Sequence, residues 1–266
     1  MLAAKVLCRF NGQIMQLYFK ESGQGKPLIL LHGLFGSSDN WYYIAQKLAI
    51  KFHVFALDQR NHGQSPHSME MDYPSMAGDV AELMAAQHIT SAVVLGHSMG
   101  GKTAMQFALQ FPDRVEKLIV ADMAPRGYEM MHDKIFAALL ELDLPAFGAR
   151  QQMEEVLAPA IPSLTLRRFL LKNLGRDAQG KFFWKINLRG LADNYARLRA
   201  PLITTVPFTK PTLFIRGGKS DFITAADETR IRELFPAAQI LTMPKAGHWL
   251  HADQPEEFGR LVLEFI

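Results

Sequence analysis

Short apolar runs alternate with longer amphipathic segments along most of the chain. This alternation is typical of strand–helix–strand units, whose parallel strands are buried on both faces and therefore read as continuous apolar runs. The runs that predict buried strands are residues 28–31, 54–57, 93–95, 118–121, 212–215 and 240–243. The pattern predicts an α/β fold built on a mostly parallel sheet.

Helical periodicity and one turn signal complete the predicted core. Helices are predicted at residues 100–110, 225–234 and 255–266, and the last of them would close the domain. Near the start, residues 5–10 and 15–20 flank Asn11-Gly12, a dipeptide typical of tight hairpin turns. We therefore expect the sheet to begin with two antiparallel strands and to be eight-stranded, with helices on both faces.

The alternation of strands and helices stops between Pro125 and Pro211. Four stretches in this segment have helical periodicity, and none reads as a buried strand: residues 135–142, 153–157, 164–174 and 188–198. The segment is also too long for a simple loop. We expect a helical cap (lid) inserted at residues 125–202, on a core formed by residues 1–124 and 203–266.

Composition narrows the class of protein. Hydrophobic residues make up 48% and charged residues 21%, which is ordinary for a globular chain of 266 residues. The net charge is only +3 and no basic tract is present, so nucleic acid is not an expected partner. The single cysteine, Cys8, cannot form an intramolecular disulfide. The N-terminal residues lack the pattern of a signal peptide and no segment is apolar over the length of a membrane span, so we expect a cytoplasmic protein without membrane insertion.

The candidate nucleophile is Ser98. Gly96-His97-Ser98-Met99-Gly100 matches the G-x-S-x-G pattern directly after one predicted strand and directly before a predicted helix. In that context a sharp turn lifts the serine hydroxyl above the sheet, and a Cβ at either glycine would collide with the neighbouring strand or helix. The helix N-terminus also favours the negative charge that develops on an attacked ester.

A second glycine-containing loop, His32-Gly33-Leu34-Phe35-Gly36, follows the strand predicted at residues 28–31. In the fold that the nucleophile motif indicates, this loop supplies one backbone N–H of the oxyanion hole. Its glycines let the backbone approach a substrate closely. By position, we assign Leu34 N–H and Met99 N–H as the two oxyanion-hole donors.

The candidate general base is His248. It lies in Gly247-His248-Trp249, after the last predicted strand, where the base of this fold is found. A serine hydroxyl needs a neighbouring imidazole because its own pKa is too high for it to ionise at neutral pH. His251 is a nearby alternative, but His248 has the preceding glycine and the expected distance from the strand.

The acid of the triad has two candidates. Its usual position is the loop after the strand at residues 212–215, where counting from Gly217 puts Ser220 in the acid position and Asp221 one residue late. Asp122 ends the preceding strand, and a carboxylate there can also reach the histidine. We favour Asp122 and keep Asp221 as the alternative acid.

The nucleophile residues also match a second motif. Residues 96–103 read GHSMGGKT, which satisfies the phosphate-binding G-x-x-x-x-G-K-[ST] pattern, and the next apolar run ends at Asp122 as a magnesium-binding strand would. However, such a loop normally follows the first strand of its domain, and the Leu34 and His248 motifs would have no explanation. A nucleotide binder is therefore a remote alternative.

Together these residues resemble the α/β-hydrolase superfamily, and most closely the bacterial YbfF-type esterases with their eukaryotic abhydrolase relatives. The similar segments are HGLFGSSDNW (32–41), DQRNHGQSP (58–66), GHSMGGKTAM (96–105), ADMAP (121–125), FFWKINL (182–188), RGGKSDFI (216–223) and AGHWLHADQPEEF (246–258). The resemblance implies the α/β-hydrolase fold, a triad of Ser98, Asp122 and His248, and no metal or organic cofactor. It also implies hydrolysis of short to medium acyl esters or thioesters.

The expected activity is that of a serine carboxylesterase acting on a small-molecule ester. Phe35 and Trp249, together with apolar side chains of the cap, would form the acyl pocket. Carbon–carbon bond hydrolases, lactonases and perhydrolases use the same fold and triad and remain alternatives. A non-hydrolytic ligand receptor is a remote alternative, which rapid turnover of simple esters would contradict.

Overall fold

The computed structural model describes residues 15–266. Their strands are β1 (Phe19–Ser22), β2 (Lys26–Leu31), β3 (Phe52–Leu57), β4 (Ala92–His97), β5 (Val115–Ala121), β6 (Leu174–Arg176), β7 (Phe182–Trp184), β8 (Thr212–Gly217) and β9 (Ala238–Met243). Their α-helices are α1 (Tyr42–Leu48), α2 (Tyr73–Ala86), α3 (Met99–Gln110), α4 (Asp133–Leu140), α5 (Arg150–Leu157), α6 (Leu164–Leu171), α7 (Leu188–Asp193), α8 (Tyr195–Arg199), α9 (Asp227–Leu234), α10 (Leu250–Asp253) and α11 (Pro255–Phe265).

The main sheet has seven strands within residues 15–266, in the order β1-β3-β2-β4-β5-β8-β9. β1 pairs antiparallel with β3, and every other neighbouring pair in this sheet is parallel. The predicted mostly parallel α/β sheet is therefore confirmed. The eighth predicted strand, residues 5–10, lies outside the described residues, as do its hairpin turn and Cys8. Of the strand predicted at 15–20, only the last two residues fall in β1.

All six predicted buried strands lie within observed parallel strands. They were visible in the sequence because helices cover both faces of the sheet. Along β2, for example, Leu28 and Leu30 pack into one apolar cluster, whereas Ile29 and Leu31 pack into the other. The first cluster includes residues of α1, α10 and α11, and the second includes residues of α2, α3 and the segment between β5 and β8.

The segment between β5 and β8 contains the five helices α4–α8 and a small antiparallel sheet of β6 and β7. No buried strand was predicted in this segment, and each of the two strands found has only one buried residue. With three residues each, β6 and β7 are too short to show an alternating pattern in the sequence. The helix predicted over 164–174 ends at Leu171, and the one predicted over 188–198 is interrupted at Asn194. At this helix end, both the side-chain amide and the backbone N–H of Asn194 donate to the Gly190 carbonyl, at 2.9 and 3.2 Å.

The proposed division into a cap at residues 125–202 and a core stays a prediction.

The longest helix of residues 15–266, α2, has 14 residues, and none of the helices described is long and apolar enough to cross a membrane. The cytoplasmic location also stays a prediction.

The candidate site residues all follow parallel strands at one edge of the sheet. Leu34 comes after β2, Ser98 after β4, Asp122 after β5 and His248 after β9. The carboxyl ends of parallel strands meet at this edge, which is where open α/β sheets bind their ligands. The topology thus brings together residues that are far apart in the chain.

Candidate active site

Ser98 lies on the turn between β4 and α3, with φ of 54° and ψ of −121°. A residue with a Cβ rarely adopts this backbone conformation, which persists only where the surroundings fix it. Close packing fixes it here: a Cβ on Gly96 would lie 2.0 Å from the Gly100 carbonyl oxygen, and one on Gly100 would lie 2.2 Å from the Leu31 carbonyl oxygen. Only glycine fits at these two positions, so the strand, turn and helix can pack tightly around Ser98.

His248 connects Ser98 to Asp122. Its Nε2 lies 3.0 Å from Ser98 Oγ, and its Nδ1 lies 2.8 Å from Asp122 Oδ2. Because an ionised carboxylate only accepts hydrogen bonds, Nδ1 carries the hydrogen and Nε2 is free to accept the proton of the Ser98 hydroxyl. Asp122 is fully buried, whereas the His248 side chain is 21% exposed. The three groups have the hydrogen-bond pattern of a serine hydrolase triad.

The two candidate acids occupy different environments. Asp122 Oδ1 accepts a hydrogen bond from Gly217 N–H at 2.9 Å, and its Oδ2 accepts one from the Ser220 hydroxyl. Asp221 is exposed, and its backbone carbonyl accepts a hydrogen bond from Arg126 at 3.0 Å. The structure therefore brings Asp122, and not Asp221, to His248. Ser220, which the sequence register put in the acid position, is a hydrogen-bond donor to that acid.

Two further residues hold His248 in place. The ring of Phe222 stacks on the imidazole with 3.7 Å between ring centroids and 18° between planes. His97 Nε2 donates to the backbone carbonyl of His248 at 2.8 Å. Burial lowers the pKa of His97 well below its ordinary value, so this ring is neutral. Phe222 had no predicted role, because an apolar residue next to Ile223 gives no local sign of contact with a distant histidine.

The loop after β2 lies close to Ser98. A Cβ on Gly33 would lie only 3.1 Å from Ser98 Cβ, so glycine permits this approach. Among residues 15–266, Leu34 N–H donates no hydrogen bond, and Met99 is the first residue of α3, where an amide has no partner within the helix. Leu34 and Met99 also line one cavity together with Ser98. Both amides are thus free to bind an oxygen that gains negative charge.

Two neutral histidines brace the same loop. Phe35, with φ of 61°, donates its N–H to His62 Nε2 at 3.2 Å, and His32 Nδ1 donates to the Gly33 carbonyl at 2.8 Å. Burial lowers the pKa of His62 to about 3 and that of His32 to about 4. Each ring therefore offers one donor and one acceptor at neutral pH, which fixes the loop before a substrate arrives.

A cavity of about 260 Å³ lies above Ser98. Both predicted pocket residues line it, along with apolar residues of the segment between β5 and β8: Phe35, Trp249, Ile135, Leu166 and Phe169. His132, which was not among the predicted site residues, adds a polar group, and its Nδ1 lies 2.7 Å from the Tyr195 hydroxyl. Burial lowers the pKa of His132 to about 4, so the cavity wall carries no charge there at neutral pH.

The lysine and threonine of the phosphate-loop motif have other partners. Lys102 is fully buried, with its Nζ 2.6 Å from the Ala200 carbonyl oxygen and 4.9 Å from the centre of the Tyr128 ring. The Thr103 hydroxyl donates to the Met99 carbonyl at 3.2 Å. In a phosphate-binding loop these two side chains would face the phosphates and the metal ion. The geometry here does not support the nucleotide alternative.

The family of the chain follows from comparison with known proteins. Residues 26–255 match the family model described as alpha/beta hydrolase fold. The chain belongs to the α/β-hydrolase family. Mouse (Mus musculus) sn-1-specific diacylglycerol lipase ABHD11 is 38% identical over 247 residues, which cover 90% of this chain and 80% of that protein. Esterase YbfF of Escherichia coli (strain K12) is 34% identical over 242 residues, which cover 90% and 92% of the two chains.

A solved structure of a marine microorganism esterase superposes on this α/β hydrolase with a TM-score of 0.93. The two sequences are 45% identical, and the match covers 95% of this chain and 100% of the other. The family implied by the sequence resemblance is therefore confirmed, and the chain is an α/β hydrolase of the esterase and lipase type.

Proposed function

We propose that this α/β hydrolase is a serine carboxylesterase that hydrolyses short to medium acyl esters, or thioesters, through an acyl-Ser98 intermediate. The observation that carries the proposal is the hydrogen-bonded row of Ser98, His248 and Asp122 beside a largely apolar cavity. Similarity to two esterases and a lipase supports an ester as the substrate.

Acylation begins when Ser98 Oγ attacks the ester carbonyl carbon and His248 Nε2 takes the hydroxyl proton. Asp122 keeps the imidazole oriented and stabilises its positive charge without taking a proton itself. The carbonyl oxygen becomes negatively charged, and Leu34 N–H and Met99 N–H bind it. The hydrogen bonds from His248 to Ser98 and Asp122 without a substrate support a reaction with little reorganisation of these groups.

The end of acylation and the whole of deacylation use the same groups, with His248 acting first as the acid and then as the base. Collapse of the tetrahedral intermediate expels the alcohol, which takes the proton from His248 and leaves the acyl group on Ser98. A water molecule then gives a proton to His248 Nε2 as its oxygen attacks the acyl carbon. Ser98 leaves with that proton, and the carboxylic acid is released.

The cavity supports the proposed acyl length. An acyl group that stays within this cavity of about 260 Å³ must be smaller than a drug-sized ligand, whose pockets occupy roughly 300–1,000 Å³. Phe35 and Trp249, the two predicted pocket residues, contribute aromatic surface to its wall. An acyl chain of moderate length would bury apolar surface against them, whereas the neutral His132 offers one polar contact.

Labelling with a fluorophosphonate probe tests the proposal. Wild type, Ser98→Ala and the control Ser91→Ala are labelled, mapped by peptide analysis and assayed with 4-nitrophenyl esters of two to eight carbons. Ser91 lies just before β4, at the end opposite Ser98, and its hydroxyl bonds Glu116 at 2.9 Å. We expect label on Ser98 in wild type and Ser91→Ala, and loss of turnover on the order of 10⁶-fold in Ser98→Ala.

Folded wild type that neither takes the label nor hydrolyses any of the esters would contradict the proposal. Tight ligand binding together with negligible turnover would contradict it as well and would favour a receptor.

A further inference from the structure

A second cavity, of about 830 Å³, adjoins the cavity above Ser98. Five residues line both spaces: Phe35, Asn40, Phe169, Trp249 and His251. The two spaces are therefore neighbours across one shared wall of side chains. To reach the second space, a substrate with its carbonyl carbon at Ser98 would have to pass these shared side chains. We call this second space the basic groove because of its charges.

Four cationic side chains line the basic groove: Arg150, Arg168, Lys172 and Lys185. They come from α5, α6 and the residues just beyond α6 and β7, so folding brings them to one groove. Two carboxylates, Asp39 and Asp253, also line the groove. Cations therefore outnumber anions by two to one.

The two carboxylates already have partners on the core. Asp39 pairs with Lys20, and Asp253 accepts a hydrogen bond from Gly247 N–H at 2.7 Å. The Lys20 ammonium thus compensates the charge of Asp39, whereas the backbone hydrogen bond to Asp253 leaves that carboxylate's charge uncompensated.

Most of the cations, in contrast, have no carboxylate partner. The ion pairs of residues 15–266 include neither Lys172 nor Lys185. Arg150 donates to the Leu174 carbonyl at 2.8 Å, which leaves its charge uncompensated. Only Arg168 has an acidic partner, Glu154, at 3.3 Å.

Like charges gathered in a cleft focus the electrostatic field and attract ligands of the opposite sign. We propose that the basic groove binds an anionic group, a carboxylate or a phosphate, at the end of the ester substrate remote from the scissile bond. This inference rests on the proposed esterase function, because it states which esters that site prefers. Arginine suits the paired oxygens of such groups, and lysine acts as a point charge.

Matched pairs of esters test this inference. One arm places the charge on the acyl side and compares mono-4-nitrophenyl glutarate with 4-nitrophenyl hexanoate. The other arm places it on the alcohol side and compares 4-acetoxybenzoate and 4-acetoxyphenyl phosphate with methyl 4-acetoxybenzoate. The arms separate the two ends of the substrate, and the two anions of the second arm separate carboxylate from phosphate.

The variant is the double substitution Lys172→Gln with Lys185→Gln. Its control, Lys26→Gln with Lys51→Gln, removes the same charge from exposed lysines at the amino ends of β2 and β3, away from the site. We expect the groove variant to lower kcat/KM for an anionic ester roughly 5- to 30-fold, mainly through KM. Neutral esters should change less than about twofold, the control should leave both kinds unchanged, and 0.5 M NaCl should reduce the loss.

If the groove variant changes kcat/KM by the same factor for anionic and neutral esters, in both arms, the inference is overturned. A wild type that turns over neutral esters through Ser98 but none of the anionic ones would overturn it too. Both results leave the proposed function standing, whereas failure of that function would appear as a lack of Ser98-dependent turnover of the neutral esters.

Discussion

Three residues at the site have a positive φ angle, which is rare outside glycine. Phe35, Ser98 and Asp122 have φ angles of 61°, 54° and 48°. Each such residue lowers the free energy of unfolding by on the order of 1–3 kcal/mol, so the surrounding packing must hold its backbone in place. In return, the turns direct the Ser98 hydroxyl and the Asp122 carboxylate to opposite nitrogens of one imidazole. Strain is thus concentrated where the direction of a side chain determines the chemistry.

Substituting each candidate acid separately distinguishes them. We expect Asp122→Asn to lower kcat by roughly 10³- to 10⁴-fold, because the amide favours the wrong tautomer of His248. Asp221→Asn should stay within about twofold of wild type, since its side chain lies away from the imidazole. Initial rates with 4-nitrophenyl butyrate measure both, and circular dichroism checks the folds. A large loss in Asp221→Asn alone would reverse the assignment.

Local sequence context explains which site residues were predictable. Ser98 and His248 were found because glycines and a preceding strand mark their positions, and Asp122 because it ends a strand. Phe222 and His132 left no such mark, because their roles depend on contacts with distant segments: Phe222 stacks on His248, and His132 lies beside Tyr195, 63 positions away. Contacts of this kind have no local pattern to read.

Whole elements, like single residues, were predictable only where they leave a local pattern in the sequence. The parallel strands were predictable because a strand buried on both faces is a continuous apolar run. The pair β6–β7 was not, because its stability comes from contacts between the strands. A Cβ on Gly175 of β6 would lie 2.5 Å from the ring of Phe183 on β7, so the aromatic ring covers the glycine across the pair. One exposed phenylalanine opposite one glycine is not a periodic signal.

The turn between β4 and α3 gives a prediction about its glycines. Gly100→Ala should destabilise the protein by several kcal/mol or prevent folding, because the new methyl group would meet the backbone of β2. Gly78→Ala is the matched control: it lies inside α2 with no atom within 4 Å of the added Cβ. This change should stabilise the protein by about 0.5–1 kcal/mol. Urea unfolding measures both, and a mild effect of Gly100→Ala would contradict the tight-turn interpretation.

Lys102 joins the helix after the nucleophile to the end of α8. Its Nζ donates to the carbonyls of Arg199 and Ala200, at 3.4 and 2.6 Å, and no carboxylate is among its hydrogen-bond partners within residues 15–266. Burial, with a smaller contribution from Arg126, lowers the pKa of Lys102 from 10.5 to about 7. The side chain is therefore a buried group whose charge changes near neutral pH.

The stability of wild type relative to Lys102→Met should depend on pH. Below pH 7 the lysine is charged in both states, and the native state bears the full cost of burying that charge. Between pH 7 and 10.5 the native lysine is neutral while the unfolded chain keeps the proton, so raising the pH favours the native state by up to about 1.4 kcal/mol per unit. Urea unfolding should therefore show that the free energy of unfolding of wild type, relative to that of Lys102→Met, is larger at pH 9 than at pH 6. The same relative value at both pH values would contradict the lowered pKa.

Across the whole molecule, folding creates features that composition conceals. The net charge of +3 is spread along the sequence, yet Arg150, Arg168, Lys172 and Lys185 line one groove beside the site. Similarly, one apolar cluster runs from the sheet into the segment between β5 and β8 and includes both Val120 and Leu170. The predicted cap is an insertion in the path of the chain, but its apolar side chains belong to the same core as the sheet.

Buried polar contacts fasten this segment to the core as well. Asn173 Nδ2 donates to the Phe35 carbonyl at 2.8 Å, and the Tyr73 hydroxyl donates to the Leu198 carbonyl at 2.5 Å. With a shared apolar cluster and buried hydrogen bonds between them, the cap segment and the sheet should open as one cooperative unit.

Native-state hydrogen exchange of Asn173→Ala measures this cooperativity. The substitution leaves the Phe35 carbonyl without its donor and should cost about 1–3 kcal/mol. If the unit is cooperative, protected amides of α7 and of β4 should lose the same protection, although β4 lies outside the segment that contains the altered residue. The control Gln151→Ala, at an exposed side chain that bonds only Glu155, should change neither. Loss of protection confined to α7 would mean that the cap opens by itself. A substrate would then reach Ser98 when the cap opens, and not through a fixed cavity.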